Sequence, residues 1–207
     1  MTIQYPLVMP TEPGIARVTL RAANVVGVSR SPFTGQQQVQ RHQGQWWAAE
    51  IELPPLVGHD LSAPWVAFLL SLRGQYGTFL MGDPGKPHPR GVATGSPVVD
   101  GANQTGERLA VRGFTANVTG ILKAGDYIQL GSGGSARLHV VLLDADSDST
   151  GRVTLDIWPR LRASPADGSA VILHNPVGVW RLASSDTSWV REPALRVGLR
   201  FSAVEAL

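Results

Sequence analysis

Three aspartates in one short loop are the residues whose spacing comes nearest to a chemical site. Asp144, Asp146 and Asp148 alternate in the run DADSDSTG. Carboxylates spaced in this way can wrap a calcium ion, because hard cations bind several oxygen ligands at once. The helical calcium loop also needs glycine at its sixth position and glutamate at its twelfth, where this chain has Ser149 and Leu155. We therefore predict a solvated turn between two strands, with calcium binding as the alternative.

The histidines and the glycine-rich run lack the spacing of known sites. The five histidines are His42, His59, His88, His139 and His174. No two of them stand at metal-ligand spacing, and the sequence has no H-E-x-x-H motif. The glycine-rich residues 131–135 lack the lysine that contacts phosphates in nucleotide-binding loops. The apolar run LHVVLL predicts that His139 lies in a strand and faces solvent or a partner. We expect no catalytic residue, no cofactor and no metal site, so the chain is not expected to be an enzyme.

The composition limits the kinds of protein that this chain can be. The absence of cysteine excludes a disulfide framework, a thiolate zinc site and a cysteine nucleophile. The net charge is only +2 and no run of Lys and Arg occurs, so no nucleic-acid partner is expected. With 43% hydrophobic and 16% charged residues, the chain can bury a core but has few surface charges, which favours packing against copies of itself. The sequence shows neither a signal-peptide pattern nor a membrane-spanning apolar run, so we expect synthesis in the cytoplasm.

Two of the six tryptophans are candidate contact residues. Apolar side chains alternate along residues 45–53, and this alternation places Trp46 on the non-core face of a strand. Trp46 is either an ordinary surface residue of the sheet or an anchor of a subunit interface. Trp158 precedes Pro159 at a predicted strand end, and we expect it to be the most exposed tryptophan of the second half. For the tryptophans of the second half, Trp158, Trp180 and Trp189, core packing is the preferred role, and stacking of Trp158 on a sugar is the alternative.

Residues 60–74 carry the one strong helix signal. Large apolar side chains fall on one stripe of such a helix, and they are Leu61, Trp65, Phe68, Leu69 and Leu72. Asp60 or Ser62 can cap its start, and Gly74 or Gly77 can end it. Because an apolar stripe has to be buried, we predict that this helix covers one face of a sheet.

The rest of the chain has the pattern of short strands and turns. The strands predicted for the first part cover residues 16–22, 24–30, 36–42 and 45–53. Five further candidates between residues 108 and 173, separated by tight turns, predict a small barrel or sandwich. After Pro176 the first pattern returns, and the alternation from Val197 to Ala203 predicts a closing strand that pairs back. We infer a domain of residues 1–91 and 176–207, interrupted by an inserted β-rich domain of residues 92–175.

Four segments of the first part form a pattern seen in a known group of proteins. A strand pair of the type S-P-F-T…Q…G-Q-W-W…L-P-P precedes a helix with W-x-A-F-L-L-S-L-R-G, and a strand G-T-F-L-x-G-D-P follows. The matching segments are Ser31–Gln38, Gly44–Pro55, Trp65–Gly74 and Gly77–Pro84. In these segments, and in its closing VGLRFSAVEAL, the chain resembles phage tail proteins of the distal tail and minor tail group. The likeness covers residues 24–90 and 190–207, while the middle of the chain matches no motif.

The resemblance implies a mainly β fold: a tail-tube-like β-sandwich with one flanking α-helix, plus the inserted small β-barrel or sandwich. It also implies a structural role in the virion, as a ring of six subunits that joins the tail tube to the tail hub of a long non-contractile phage tail. The implied partners are copies of the chain, the tail tube protein and the tail hub protein. The candidate contact residues for the ring are Ser31, Pro32, Phe33 and Trp46. Such a protein is synthesised in the host bacterial cytoplasm.

Two other functions remain open from the sequence. The inserted region could make the chain a carbohydrate- or receptor-binding module of a phage tail, using Trp158 or the aspartate loop. A glycosidase would need two carboxylates across a cleft, and no spacing in the sequence indicates such a pair. The structural ring is the preferred interpretation.

Overall fold

The computed structural model describes residues 2–192 and 196–207. In this part of the chain the fold is mainly β with one α-helix, as the sequence predicts. The helix, α1, spans His59–Ser71. The strands are β1 (Leu7–Val8), β2 (Arg17–Arg30), β3 (Gln37–Glu52), β4 (Leu56–Val57), β5 (Phe79–Met81), β6 (Gly95–Val99), β7 (Gly106–Phe114), β8 (Tyr127–Leu130), β9 (Arg137–Val141), β10 (Val153–Leu161), β11 (Val171–Ile172), β12 (Gly178–Leu182), β13 (Val190–Glu192), β14 (Arg196–Gly198) and β15 (Arg200–Glu205).

Three sheets organise these strands. The first has the order β1-β5-β12-β15-β3-β2, and all of its strands lie before residue 82 or after residue 177. The second has the order β11-β8-β9-β10-β7-β6. A bridge between Val98 and Ala170 brings its two outer strands together, so this sheet forms a nearly closed barrel. The third sheet is small, with the order β13-β14-β4.

The fold has two main hydrophobic clusters, one between the helix and the first sheet, which also includes Tyr127 of β8 and Leu138 of β9, and one inside the barrel. In the first, Trp65 and Phe68 of the helix lie edge-to-face, and Phe68 in turn packs on Phe79 of β5 with ring centroids 5.6 Å apart. Trp180 of β12 is fully buried there, and its indole nitrogen donates a hydrogen bond to a backbone carbonyl at 2.8 Å. The barrel has a second cluster of buried aliphatic residues that includes Ile128 and Ile157. The helix therefore covers the first sheet, as its stripe predicts.

The helix is shorter than predicted, and its beginning differs. Gly58 is the N-cap residue and no side chain caps the helix, so the predicted capping roles of Asp60 and Ser62 are wrong. Ser62 is buried instead, and its hydroxyl donates to the carbonyl of Gly58 at 2.9 Å. Successive helical positions are about 100° apart around the axis, so Leu61 next to it turns outward and is 39% exposed. The other four residues of the stripe are buried.

The four strands predicted for the first part are joined in pairs in the structure, where they form two long strands, β2 and β3. β2 and β3 pair along their whole length, from Arg17 opposite Glu52 to Arg30 opposite Gln37. The pairing register shifts in the middle of the hairpin, where the sequence predicts two strand ends. Gly44 lies at this irregularity, and a Cβ there would approach the side chain of Val25 to 2.6 Å. The glycine thus permits a bulge that changes the direction of the β2–β3 hairpin without ending either strand.

The predicted closing strand is divided into β14 and β15, with Leu199 between them. β14 joins the third sheet, whereas β15 pairs with β3 on one side and with β12 on the other. The prediction that the chain returns to the first sheet is therefore confirmed. In the barrel, strand β6 was not predicted, because Pro97 lies inside it and proline disfavours central strands.

Candidate assembly surface

The outer part of the β2–β3 hairpin is a two-stranded ribbon that we call the hairpin arm, residues 25–40. β15 pairs with β3 only from Ala48 to Glu52, so within the described chain the strands of the arm pair only with each other. None of the arm residues is buried. An isolated two-stranded hairpin is marginally stable in water. An arm of this length therefore gains stability when another surface covers it.

The tip of the arm is the turn that the sequence predicts at Ser31–Gly35. The hydroxyl oxygen of Ser31 accepts hydrogen bonds from the backbone N–H groups of Phe33 and Thr34, both at 3.3 Å. Gly35 has a φ of 71°, which only glycine adopts at little cost, and it donates to the Ser31 carbonyl at 3.0 Å. The turn holds Phe33 94% exposed, with Pro32 exposed beside it. Ser31 thus shapes the turn, and Phe33 is the side chain that it presents.

One face of the arm carries three exposed valines that we call the valine face: Val26, Val28 and Val39. Val28 and Val39 lie directly opposite each other in the ladder, and Val26 lies two residues from Val28 on the same side. Their exposed fractions are 47%, 61% and 62%. Contiguous apolar side chains on a solvent-facing surface mark interaction sites more often than single ones do.

Each outer strand of the first sheet pairs with a neighbour on one side and, within the described residues, with none on the other. β2 forms one edge and β1 the other, at opposite ends of the six-stranded order. Val8 in β1 is 77% exposed. Unpaired backbone N–H and C=O groups along such edges can accept a strand from another chain. The molecule thus offers one edge at each end of the same sheet.

The two candidate tryptophans lie near the base of the arm. Trp46 is half-buried on the face of β3 opposite Trp47, which is buried. Trp158 is half-buried, as is Trp189, whereas Trp180 is buried, so no tryptophan of the second half is fully exposed. The ring of Trp158 packs against Trp47 at 4.4 Å between centroids, and its Nε1 donates to Asn24 at 2.9 Å. These contacts hold Trp158 between the barrel and the first sheet, and its role in sugar binding stays a prediction.

A polar network joins the barrel to the first sheet. The carboxylate of Glu205 in β15 accepts two hydrogen bonds from Arg162, at 2.6 and 2.9 Å, and a third from the backbone N–H of Trp47 at 3.0 Å. The Gln45 carbonyl accepts another bond from Arg162, and the Gln45 side chain accepts one from the Arg160 N–H at 2.8 Å. Glu205 is only 4% exposed, and Gln45 is buried. Sequence reasoning missed this network, because its members are up to 160 residues apart along the chain.

His139 is buried in the barrel wall, so the prediction that it faces solvent or a partner is wrong. It is 5% exposed, and its Nδ1 lies 2.7 Å from the Pro159 carbonyl. Burial lowers the pKa of His139 to about 4, a shift that the hydrogen bond to the carbonyl opposes only in part. The imidazole is therefore neutral at neutral pH, and Nδ1 carries the proton that it donates to the carbonyl.

Each aspartate of the 144–148 loop accepts a hydrogen bond from a different part of the backbone. Asp144 accepts from the N–H of Ala124 at 2.8 Å, and Asp146 from that of Gly120 at 2.6 Å. Asp148 accepts from Thr150 and Arg152, and these bonds lower its pKa. The carboxylates thus tie the turn to its neighbours. Among residues 2–192 and 196–207, no three His, Cys, Asp or Glu side chains are grouped to hold a metal ion.

Two histidines that are far apart in the sequence meet in the fold. Nδ1 of His88 lies 3.1 Å from Nδ1 of His174, and the N–H of Asn175 donates to the Pro87 carbonyl at 2.7 Å. These contacts hold together the chain segments that enter and leave the barrel. No spacing within the sequence could indicate this pair, because 86 residues separate its members.

The described part of the chain contains no helix that is long and apolar enough to cross a membrane. The same part of the chain has three features that could serve assembly or binding: the hairpin arm, the two free edges of the first sheet, and the polar network between the barrel and the first sheet, which we call the polar junction. No protein-family model matches the sequence, and no curated protein matches it.

Proposed function

We propose that this chain is a structural component of a bacteriophage tail tip that assembles with copies of itself into a hexameric ring between tail tube and tail hub. The proposal combines the resemblance of residues 24–90 and 190–207 to distal tail proteins with the form of the first sheet. The observation that carries it is the exposed hairpin arm, with its valine face and Phe33 at the tip.

The positions of the two free edges favour a ring over a two-fold dimer. An edge at each end of one sheet allows the β2 side of one subunit to meet the β1 side of the next. Such head-to-tail contacts use two different surfaces, and they generate closed rings when the rotation between neighbours closes. Pairing in this way also covers backbone groups that would otherwise promote uncontrolled aggregation.

The hairpin arm supplies apolar area for the same contact. Burying exposed apolar side chains contributes roughly 25 cal/mol for each Å² removed from water. Val28, Val39 and Phe33 are the most exposed large side chains of the arm, so their burial would contribute most to the free energy of the contact. The arm carries a single charged residue, Arg30, and so few charges have to be desolvated when a neighbouring subunit covers it.

Shortening the arm tests the proposal. Residues 27–40 would be replaced by Asn-Gly, because Val26 lies opposite Arg41 and this dipeptide closes two-residue hairpins. Light scattering across concentration is expected to give about six times the 22.1 kDa subunit mass for the intact chain and the subunit mass for the shortened one. Val28→Thr with Val39→Thr should weaken assembly while keeping β-branched side chains in the strands.

Val92→Thr is the matched control, since Val92 is 58% exposed and lies outside the arm. This variant should assemble like the intact chain. A monomer at every concentration for the intact chain would contradict self-assembly. An intact ring formed by the shortened chain would show that the arm is not the contact.

A further inference from the structure

A groove beside the polar junction is a concave feature that the ring contact does not use. We call it the arginine groove and define it by Arg137, His139, Arg160 and Arg162, from strands β9 and β10 and the residue after β10. Residues 163–166 and Leu207 also line it. Its volume is about 380 Å³, within the range of sites for small organic molecules.

The groove concentrates positive charge. Three arginines line it, and no aspartate or glutamate is among the lining residues. Arg162 is neutralised by Glu205, which lies behind it. Within the described part of the chain, Arg137 and Arg160 have no carboxylate oxygen within 4.0 Å. His139 is neutral at neutral pH, so among the side chains of the groove the charge without a carboxylate partner belongs to these two arginines.

The rest of the lining is mostly apolar. Leu130 and Leu161 are buried in the floor, at 5% exposure each. Ala163, Pro165 and Ala166 form one wall. An apolar cleft with a few convergent charged groups is the usual form of a small-molecule site, in which the apolar surface gives affinity and the charges fix orientation. Arginine is well suited to this second role, because its planar group can donate two parallel bonds to an oxyanion.

We propose that the arginine groove binds an amphipathic organic anion, a small molecule with one acidic group on an apolar body. The acidic group lies between the side chains of Arg137 and Arg160, and the apolar body lies on Leu130 and Leu161. The polar junction supports this arrangement from behind, since Gln45 accepts the backbone N–H of Arg160 at 2.8 Å. This site is independent of the ring, and it assigns the barrel a binding role of its own.

The test uses the full chain and two fluorescent probes. The anionic probe is anilinonaphthalene sulfonate, and the neutral one is phenylnaphthylamine, which lacks the sulfonate group. The anion is expected to bind at one saturable site per chain and more tightly than the neutral probe. Arg137→Gln with Arg160→Gln should weaken binding of the anion about tenfold or more, since hydrogen bonds to charged groups contribute roughly 1.5–3 kcal/mol. Near-UV circular dichroism would establish that each variant is folded.

Two further variants separate the groove from other apolar surfaces. Arg17→Gln with Arg73→Gln removes the same charge from exposed positions outside the groove and the hairpin arm, and its affinity should be unchanged. Ala163→Trp fills the groove from an exposed wall position and keeps every arginine, and it should abolish binding. Unchanged affinity in the Arg137 and Arg160 variant, or in Ala163→Trp, would overturn the proposal. Equal affinity for the neutral probe would also overturn it.

Discussion

Replacing Glu205 by alanine is expected to lower the free energy of unfolding by about 3 kcal/mol, the lower end of the range for breaking a buried ion pair. The carboxylate is 4% exposed and holds both nitrogens of the Arg162 fork together with the N–H of Trp47. Without this carboxylate, the guanidinium of Arg162 and the backbone N–H of Trp47 lose their hydrogen-bond acceptor at a site with little access to water. Arg162 is 27% exposed, so water offsets part of the loss.

Glu50→Ala is the matched control for this prediction. Glu50 also pairs with two arginines, Arg21 and Arg200, but it lies on the solvent side of the first sheet with 28% of its side chain exposed. Exposed pairs contribute about 0–1 kcal/mol, so the Glu50 variant should differ little from the intact chain. Urea unfolding of both variants gives the comparison. Equal losses in the two would contradict a structural role for the junction.

The double change Glu205→Met with Arg162→Met separates two causes of instability. One is the loss of the attraction between the two side chains, and the other is the cost of leaving the Arg162 guanidinium without a partner. Buried ion pairs replaced by apolar residues of similar size often cost little stability, because the desolvation penalty disappears together with the attraction. The double variant is therefore expected to be more stable than Glu205→Ala. If it is equally unstable, packing around the pair rather than the unpaired guanidinium explains the loss.

Between pH 7 and pH 4 the protein is expected to lose about 3 kcal/mol of stability through His139 alone. Burial lowers the pKa of this imidazole to about 4 in the folded chain, against 6.5 when it is exposed. In this window the unfolded chain binds a proton that the folded chain does not. Stability from His139 is therefore fully present above pH 6.5, and it is lost as the pH falls toward 4.

His139→Gln isolates this contribution, since its amide can still donate to the Pro159 carbonyl. Urea unfolding at pH 7 and pH 4.5 should show a smaller pH dependence in the variant than in the intact chain. Asp148 and Asp167 have lowered pKa values through hydrogen bonds to Arg152 and Arg112, and they weaken the fold only at more acidic pH. An identical pH dependence in the variant would exclude His139 as its source.

The sequence by itself determined the elements whose signal is local. The helix stripe of Trp65, Phe68 and Leu69 predicts a buried face, because helical periodicity is written in neighbouring residues. The alternation that leads to Ile51 predicts the core face of β3 for the same reason, and Gly35 predicts the turn at the arm tip. The mainly β character and the return of the chain to its first sheet also follow from such patterns.

Only the tertiary structure decided which of these elements are covered. The sequence predicts strands at residues 24–30 and 36–42 but not whether they are covered, and in the structure no residue of the hairpin arm is buried. The sequence also predicts that His139 faces solvent or a partner, whereas the barrel wall buries it. Arg162, just after β10, meets both Glu205 of β15 and the carbonyl of Gln45 in β3, and the arginine groove exists only where β9, β10 and residues 163–166 meet. Local periodicity fixes which face of a strand is apolar. Which segment packs on that face depends on contacts between parts of the chain that are far apart in sequence, and no local pattern encodes such contacts.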